Sequence, residues 1–457
     1  MITSRVAKTI IICKGEKKMK KIIALVLVAV MVLSLSACSS KKKWEDGDGK
    51  IDGDLTFWTQ DTEQGKNYFE PAIKRFKEAY PDVNIKVEYF SEFADKVNQA
   101  FSAGEEADVI QTWQSITDWA KAGKIAAIPD SVMTKAEIES KFFEGALMNK
   151  YYDGKYYCLP SEINVESPSL YVNMDILAEE GIELPAGWIE NNGPRSWSEL
   201  YEFAKKLTKR DESGTIIRSG LSYVYAQWEA NFLSLILQYG GDYKDPANNA
   251  VKFVTEEGRK AAETLLRYCQ GPDAVSYDGD ERYGLFVQGI SAMTVGAPWY
   301  AGSFDIDIPD TNYQVFNMPA WVEGADPICI ATGGWGYIVS EKCKNKEAAW
   351  AFVKFMTSAE ETGEWAITTG ALPARVDALQ DLEYDPNVGS VNKAIAITMD
   401  ILPYAVEDGA YMMTPSTLTY TIVREKLRQL LVDGDIEACL KAIEDEGNAM
   451  IKDNLSR

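Results

Sequence analysis

Strand-like and helix-like segments alternate near the start of the chain, and this alternation limits the possible folds more than any other feature of the sequence. Residues 55–59, 85–89 and 107–111 have the short apolar or alternating patterns that are typical of strands. Residues 69–80 and 93–101 carry apolar side chains three and four positions apart, as one face of a helix does. A β-α-β-α-β order predicts a parallel sheet with right-handed crossovers, and therefore an α/β fold.

Ligands of such open sheets bind beyond the carboxyl ends of the strands. Here these ends carry Trp58, Asp61 and Trp113, which are therefore candidate ligand-binding residues. Each has an alternative role: the two tryptophan rings could pack inside a lobe, and Asp61 could cap the helix that follows it.

Size and charge narrow the class of protein. A chain of 457 residues exceeds the roughly 250–300 residues at which a single core stops growing, so two lobes are expected. The formal net charge of -22 disfavours nucleic acid and anionic lipid as partners. The chain has no histidine, which excludes Ser-His and Cys-His nucleophile activation but leaves carboxylate chemistry open.

Residues 19–40 (MKKIIALVLVAVMVLSLSACSS) have the pattern of a secretion signal that ends in a lipid-attachment site. The apolar run is too short to span a bilayer comfortably, and the Leu-Ser-Ala that precedes Cys38 resembles a bacterial lipobox. We predict an upstream extension over 1–18, a cleaved signal peptide over 19–37, lipidation of Cys38, and a flexible tether over 38–54. The alternative is an uncleaved membrane helix. The first interpretation places the protein outside the cytoplasm, anchored to the bacterial cell membrane only by its N-terminal lipid.

Five cysteines remain in the folded part, at wide spacing and without a C-x-x-C motif. They are Cys158, Cys269, Cys329, Cys343 and Cys439. We predict that they are mostly buried thiols, with one disulfide possible, and we expect no metal site and no cofactor.

Further elements are predicted along the rest of the chain. Ser196 and Glu199 have the spacing of a capping box, which starts a helix, and residues 232–238 are helical. A strand over 336–340 leads into a helix over 347–356. Two helices, near 423–431 and 436–450, end the chain.

Seven short sequence blocks follow one another in a distinctive order over about 400 residues. They include LTFW at 55–58, FKEAYP at 76–81, ADVI at 107–110, LYVNMD at 170–175, FVQGISAMTVGAPW at 286–299, NKEAAWAFVKFM at 345–356 and ALPAR at 371–375. Together they resemble the maltose-binding-protein-like, family 1 extracellular solute-binding proteins of ABC importers. The Ala-Asp pair in the third block departs from the usual Pro-Asp.

The resemblance implies a two-lobed periplasmic-binding-protein-like fold of type II, in which each lobe is a mostly parallel sheet flanked by helices. The implied lobe 1 comprises residues 55–160 and 328–372, and the implied lobe 2 comprises residues 161–327 and 373–457. The chain would cross between the lobes three times, through a hinge made of residues 160–166, 318–327 and 372–377.

The resemblance also implies a function: a monomeric lipoprotein that captures a carbohydrate, in particular an oligosaccharide, and delivers it to the permease subunits of an importer. It implies no enzymatic activity. Two alternatives stay open. One is a lipid-anchored glycoside hydrolase that uses a carboxylate pair. The other is a binding protein for a non-sugar solute such as glycerol phosphate, which would need basic residues in the cleft, where Arg375 is the one candidate.

Aromatic residues are abundant, with 12 tryptophans and 23 tyrosines, and flat rings suit the apolar faces of sugars. The resemblance implies ligand contacts for the following residues: Glu166, Trp228, Asn231, Trp299, Gly334, Trp335 and Tyr411. Trp299 aligns with the stacking tryptophan of the family. The alternatives are hinge capping for Glu166 and packing between a strand and a helix for Trp335.

Overall fold

The structure is a computed structural model, and it describes residues 51–223, 228–276, 282–378, 389–407 and 417–456. The predicted signal peptide, the lipidation site Cys38 and the candidate Tyr411 lie outside the described residues. So does most of the predicted tether.

The strands of the described residues are β1 Gly53–Gln60, β2 Val83–Phe90, β3 Val109–Thr112, β4 Tyr151–Tyr152, β5 Lys155–Tyr156, β6 Leu159–Pro160, β7 Glu162–Val165, β8 Ser169–Asn173, β9 Lys209–Arg210, β10 Ile216–Arg218, β11 Lys244–Asp245, β12 Ala250–Val251, β13 Met293–Gly296, β14 Tyr313–Asn317, β15 Cys329–Thr332, β16 Gly336–Val339, β17 Leu372–Pro373 and β18 Ala405–Glu407.

The helices of the same residues are α1 Glu63–Ala79, α2 Phe93–Ala103, α3 Thr117–Lys121, α4 Lys135–Lys141, α5 Glu144–Leu147, α6 Met174–Glu180, α7 Trp197–Leu207, α8 Trp228–Gln238, α9 Glu256–Cys269, α10 Arg282–Val287, α11 Tyr300–Asp307, α12 Lys346–Met356, α13 Ala359–Thr369, α14 Ser390–Ile401, α15 Arg424–Asp433 and α16 Ile436–Ser456. A 3-10 turn, Leu402–Tyr404, follows α14, and a π-helical turn, Thr417–Val423, precedes α15.

The first sheet has five strands in the order β2-β1-β3-β16-β6. β1 pairs in parallel with both β2 and β3, so the predicted β-α-β-α-β unit is confirmed. β16 is antiparallel to both β3 and β6. The third strand begins at Val109, two residues later than predicted, because Asp108 uses its carboxylate to accept hydrogen bonds from the backbone N–H and the hydroxyl of Thr56.

The second sheet corrects the expectation that each lobe holds a mostly parallel sheet. Its three strands have the order β13-β8-β14, and β8 is antiparallel to both neighbours. Isolated parallel bridges join Ser219 to Ser291 and Ser222 to Thr294 beside it. Strand direction depends on how the connections cross the sheet, which local patterns do not encode.

A third sheet, in the order β17-β7-β15-β18, forms the floor on which the site is built. β7 and β17 lie within two of the predicted crossings, and β15 begins just after the third. Side chains alternate along β7: Ile163 and Val165 are buried in the core that surrounds β1, whereas Glu162 and Asn164 point the other way. At β7, the floor sheet therefore has an apolar face and a polar face.

The apolar side chains form two large clusters and two smaller ones. One large cluster surrounds α7, α8, α9 and α16, and the other surrounds β1, α1 and α12. β15 is packed from both sides, since Ile330 belongs to the first cluster while Cys329 and Ala331 belong to the second. The lobe boundaries given above remain a prediction.

Two local expectations can be compared directly with the structure. The five cysteines are all buried and free, so they are thiols as predicted and the possible disulfide is not formed. Ser196 does cap α7 by accepting from the backbone N–H of Glu199, but only this half of the capping box is present. The Glu199 carboxylate instead accepts from the indole of Trp188 and from the backbone N–H of Arg195.

Candidate ligand-binding site

A cavity of about 250 Å³ lies where the end of β1, the start of α1, the polar face of the floor sheet and the start of α11 meet. Its walls combine aromatic rings, amides, hydroxyl groups and one carboxyl. The lining residues are Thr59, Gln60, Thr62, Gln64, Gly65, Phe69, Gln111, Glu162, Trp299, Ser303, Trp335, Trp365, Thr369 and Ala371.

Local sequence explains why the β1 side of the cavity is polar. β1 ends at Gln60, and Thr62 caps α1 by accepting from the backbone N–H of Gly65. The hydroxyl of Thr59 donates to Oε1 of Gln111 at 2.8 Å, and both side chains are buried. Nε2 of Gln64 donates to Oγ of Ser303 on α11, so this bond closes one side of the cavity.

Two further contacts bring α11 against α13. A Cβ atom added to Gly302 would lie 2.5 Å from the backbone oxygen of Thr369, so only glycine permits this approach. Gly370, at φ +79°, ends α13 beside the backbone of Pro298 and Trp299. The close approach places Trp299, just before α11, at the cavity.

Three tryptophans contribute to the cavity walls. Trp299 and Trp335 are half-buried, and Trp365 is buried in the core. The Trp299 ring meets Tyr300 edge to face, with centroids 4.5 Å apart, and Trp335 lies between Phe93 and Trp113. Rings supported in this way keep a fixed orientation toward the cavity.

Glu162 provides the carboxyl of the cavity wall. Its Oε2 accepts from Nε1 of Trp365 at 2.7 Å. Burial raises the pKa of Glu162 to about 7, while the hydrogen bonds from Trp365 and from the Trp335 backbone and the charge of Lys150 oppose that rise. Among the described residues that line the cavity, none is a lysine or an arginine.

Lys150 lies behind the cavity and holds the loop that carries Trp335. Its side chain is fully buried, and Nζ donates to the backbone oxygen of Gly334 at 2.9 Å. Burial lowers the pKa of Lys150. Gly334 adopts φ +59°, and a Cβ there would lie 2.6 Å from the backbone oxygen of Glu162. The predicted Gly334 therefore shapes the loop and is not itself a lining residue.

A second, much smaller cavity of about 20 Å³ lies between β7 and α8. Glu166 and Asn231, both predicted ligand-binding residues, line it together with Gln238. Its volume suits one water molecule. Nδ2 of Asn231 is buried without a hydrogen-bond partner among the described residues, and Glu166 accepts from Nδ2 of Asn164.

The other predicted residues lie away from these cavities. Trp58 is buried against Phe90, and its Nε1 donates to Oε2 of Glu88 at 2.7 Å. Its position at the end of a strand is as predicted, but the side chain points to the α2 side of the sheet.

Asp61 forms a salt bridge with Lys66, while Thr62 caps α1 in its place. Trp113 is 40% exposed and touches the edge of Trp335. Trp228 is buried in the core around α8 and α9.

Twelve of the fourteen residues that line the larger cavity were not among the predicted site residues, and four of these twelve are Gln64, Glu162, Ser303 and Trp365. Glu162 could have been found, because it lies four residues before Glu166 in a strand-like segment and therefore on the same face. The other three reach the cavity through long-range packing, and no local pattern identifies them.

Comparisons with known proteins identify the family. The sequence model of the bacterial extracellular solute-binding protein family matches residues 60–363 of this chain. The galactooligosaccharide-binding protein of Bacillus subtilis is 23% identical over 400 residues, which cover 84% of this chain and 86% of that protein.

Two solved structures share the fold. The GacH receptor of Streptomyces glaucescens, solved without ligand and with acarbose, has a TM-score of 0.70 at 23% identity, over 88% of this chain and 99% of that one. UgpB of Mycobacterium tuberculosis, in complex with glycerophosphocholine, has a TM-score of 0.70 at 19% identity, over 90% and 100%.

The chain belongs to the bacterial extracellular solute-binding protein family. The predicted family is confirmed, and so is the predicted type II α/β fold class, except for the strand directions of the second sheet. Within the described residues, no helix is both long and apolar enough to cross a membrane, and no cluster of histidine, cysteine or acidic side chains could hold a metal ion.

Proposed function

We propose that this protein is the solute-binding component of a bacterial ABC importer, that it captures a carbohydrate and that it delivers this ligand to the permease subunits. The observation that carries the proposal is the cavity itself, in which Trp299, Trp335 and Trp365 accompany a buried carboxyl and three side-chain amides. Rings pack on the apolar faces of sugars, and carboxylates and amides bond to sugar hydroxyl groups.

The side chains of the cavity favour a neutral ligand over an anionic one. Proteins that hold phosphate or carboxylate groups normally supply arginine or lysine, and the described lining residues include neither. Arg375, the basic candidate from the sequence, is buried and bonded to Asp377 through two nitrogens at 2.8 and 2.7 Å. UgpB shares the fold, so the fold alone does not distinguish a neutral ligand from a phosphate-containing one, whereas the cavity side chains do.

The size of the cavity bears on the length of the ligand. Its volume of about 250 Å³ lies below the roughly 300 Å³ lower end of ligand pockets. An oligosaccharide would therefore place only one part of its chain here while the rest lay in a more open cleft. Asn164, which is half-buried on the same face of β7 as Glu162, is a further polar side chain on this side of the sheet.

Carboxylate geometry argues against the hydrolase alternative. Glycoside hydrolases use two carboxyl groups, about 5–9.5 Å apart, that flank the scissile bond. Among the described residues that line the larger cavity, Glu162 is the one carboxyl. We propose that the protein is a monomeric binding lipoprotein, lipidated at Cys38 and held outside the cytoplasm, and that it is not an enzyme.

A ligand screen by thermal shift tests this proposal. A ligand at 100 times its Kd adds about 2.7 kcal/mol to the stability of the native state. We expect neutral mono- and oligosaccharides to raise the melting temperature, and glycerol phosphate and glycerophosphocholine to leave it unchanged. Stabilisation by the phosphate compounds alone would instead support the non-sugar alternative. Release of reducing ends during incubation with a bound oligosaccharide would support the hydrolase.

A further inference from the structure

Glu162 differs from Glu361 and Glu229, two other deeply buried glutamates, in how its charge is balanced. Glu361 is paired with Arg75, and Glu229 is paired with Arg424. No salt bridge within the described residues involves Glu162, which is only 5% exposed. The nearest cation, Lys150, directs its Nζ to the Gly334 carbonyl. A buried carboxyl without an ion pair is costly to maintain, so a structural role alone explains Glu162 poorly.

The hydrogen bonds that Glu162 does make leave it acceptor capacity. A carboxylate has about four acceptor positions. Nε1 of Trp365 and the backbone N–H of Trp335 each donate to the carboxylate. Both donors belong to tryptophans whose side chains line the same cavity, so the carboxylate is fixed between two rings and faces the cavity with positions still open.

We propose that Glu162 is the specificity-determining hydrogen-bond acceptor of the larger cavity, where its carboxylate accepts from hydroxyl groups of a neutral sugar and repels anionic ligands. This inference rests on the proposed function and deepens it. A ligand hydroxyl would satisfy the open acceptor positions of a desolvated charge, and such charge-assisted bonds are about twice as strong as neutral ones. A sugar acid would instead place two negative charges in one poorly solvated site.

The protonation of Glu162 supplies a signature that a merely structural residue would not give. Its pKa is raised to about 7 by burial. The charges of Lys150 behind the cavity and Glu166 after β7 act on Glu162, and Glu162 acts on Tyr337 of β16. Two more ionisable groups lie one step further away: Cys158 acts on Lys150 and Tyr337, and Glu361 of α13 acts on Tyr337.

Below pH 7 the carboxyl becomes protonated, loses its charge and gives up an acceptor position. Sugar affinity should therefore fall as the pH falls through about 7. Because one proton is involved, the fall cannot exceed about tenfold per pH unit.

The test is calorimetry on the full-length protein in detergent, with maltose, mannobiose and galactobiose as probes at pH 5.5 and pH 8. For wild type we expect a weaker Kd at pH 5.5 for whichever disaccharide binds. Glu162→Gln should weaken binding at pH 8 by about 10- to 100-fold, as for one lost charged hydrogen bond, and should abolish the pH dependence. It should also narrow the preference for the neutral disaccharide over glucuronic acid.

Three comparisons make the result decisive. Glu202→Gln removes an exposed carboxylate on α7 and should behave as wild type. Glu162→Asp keeps the charge, so its sugar affinity should still depend on pH. If Glu162→Gln does not fold, the pH dependence of the Glu162→Asp variant tests the inference in its place. If a disaccharide binds and Trp299→Ala weakens it, but Glu162→Gln matches wild type at both pH values, this inference is wrong while the proposed function stands. If no sugar binds the wild-type protein at either pH, both this inference and the proposed function are wrong.

Discussion

The stability of the ligand-free protein should depend on pH through Glu162, and replacing this residue with glutamine should remove that dependence. The pKa of Glu162 rises from an ordinary 4.5 to about 7 because the group is buried. One pKa unit corresponds to 1.36 kcal/mol, so the shift of about 2.5 units corresponds to an upper limit of about 3 kcal/mol.

The direction follows from which state holds the proton more tightly. With a raised pKa, folded protein keeps the Glu162 proton at pH values where unfolded protein has released it. The group therefore costs nothing below about pH 4.5, and its cost grows as the pH rises to about 7, above which it stays constant. Wild type should lose up to about 3 kcal/mol of unfolding free energy from this one residue between these limits, and Glu162→Gln should lose none of it.

Urea denaturation followed by tryptophan fluorescence, at intervals from pH 4.5 to pH 8, measures this effect. A two-lobed chain can unfold in more than one step. The transition to compare is therefore the one whose urea midpoint changes in the Glu162→Gln variant. Glutamine can still accept from Trp365, but its amide cannot replace both carboxylate oxygens. A constant offset is therefore expected, and the informative quantity is how the difference between wild type and variant changes with pH.

The matched control is Glu202→Gln, which removes the same charge from an exposed site where a surface pair with Lys205 contributes little. Its difference from wild type should stay constant across the pH range. Parallel stability curves for wild type and Glu162→Gln would refute the reasoning, because they would mean that Glu162 titrates in the folded protein as it does in water.

Three other outcomes are expected. Trp299→Ala should weaken sugar binding by roughly 5- to 150-fold, from about 1 to 3 kcal/mol of lost ring contact, with the ligand-free melting temperature nearly unchanged; equal affinities by calorimetry would remove the stacking role. Gly302→Ala should force α11 away from Thr369 and enlarge the ligand-bound radius of gyration in small-angle scattering; an unchanged profile would mean that the helices adjust locally. Cys38→Ala should stop the incorporation of labelled fatty acid in a bacterial host; continued labelling would place the lipid elsewhere.

Local sequence patterns predicted the elements well, because capping residues and apolar spacing act within a few residues. α2 begins at Phe93 as predicted and ends at Ala103, two residues beyond the predicted apolar positions, and α12 spans Lys346–Met356 where 347–356 was predicted. The antiparallel pairing of β8 could not be predicted in this way. It depends on where β13 and β14 return to the sheet, which is decided by packing over more than 100 residues.

The site was predictable only in part, for the same reason. Position at a strand end singled out Trp58, but its ring packs on Phe90. Thr59, the next residue, points to the cavity, since side chains alternate along a strand. Trp365 reaches the cavity from α13, far along the chain from β1 and β7, and no spacing in its own helix distinguishes it from an ordinary core tryptophan.

Closure of the cavity and the charge of Glu162 are physically coupled. The bond between Gln64 and Ser303 and the contact of Gly302 with Thr369 seal the cavity from the side of α11. Glu162 is desolvated by burial in the same cavity wall, and this desolvation is the main cause of its raised pKa. Any opening of this side would hydrate the carboxylate and return its pKa toward the ordinary value. A bound hydroxyl group would replace that water without opening the site, so ligand binding relieves the cost that closure imposes on Glu162, and the sealed state becomes most favourable when the cavity is filled.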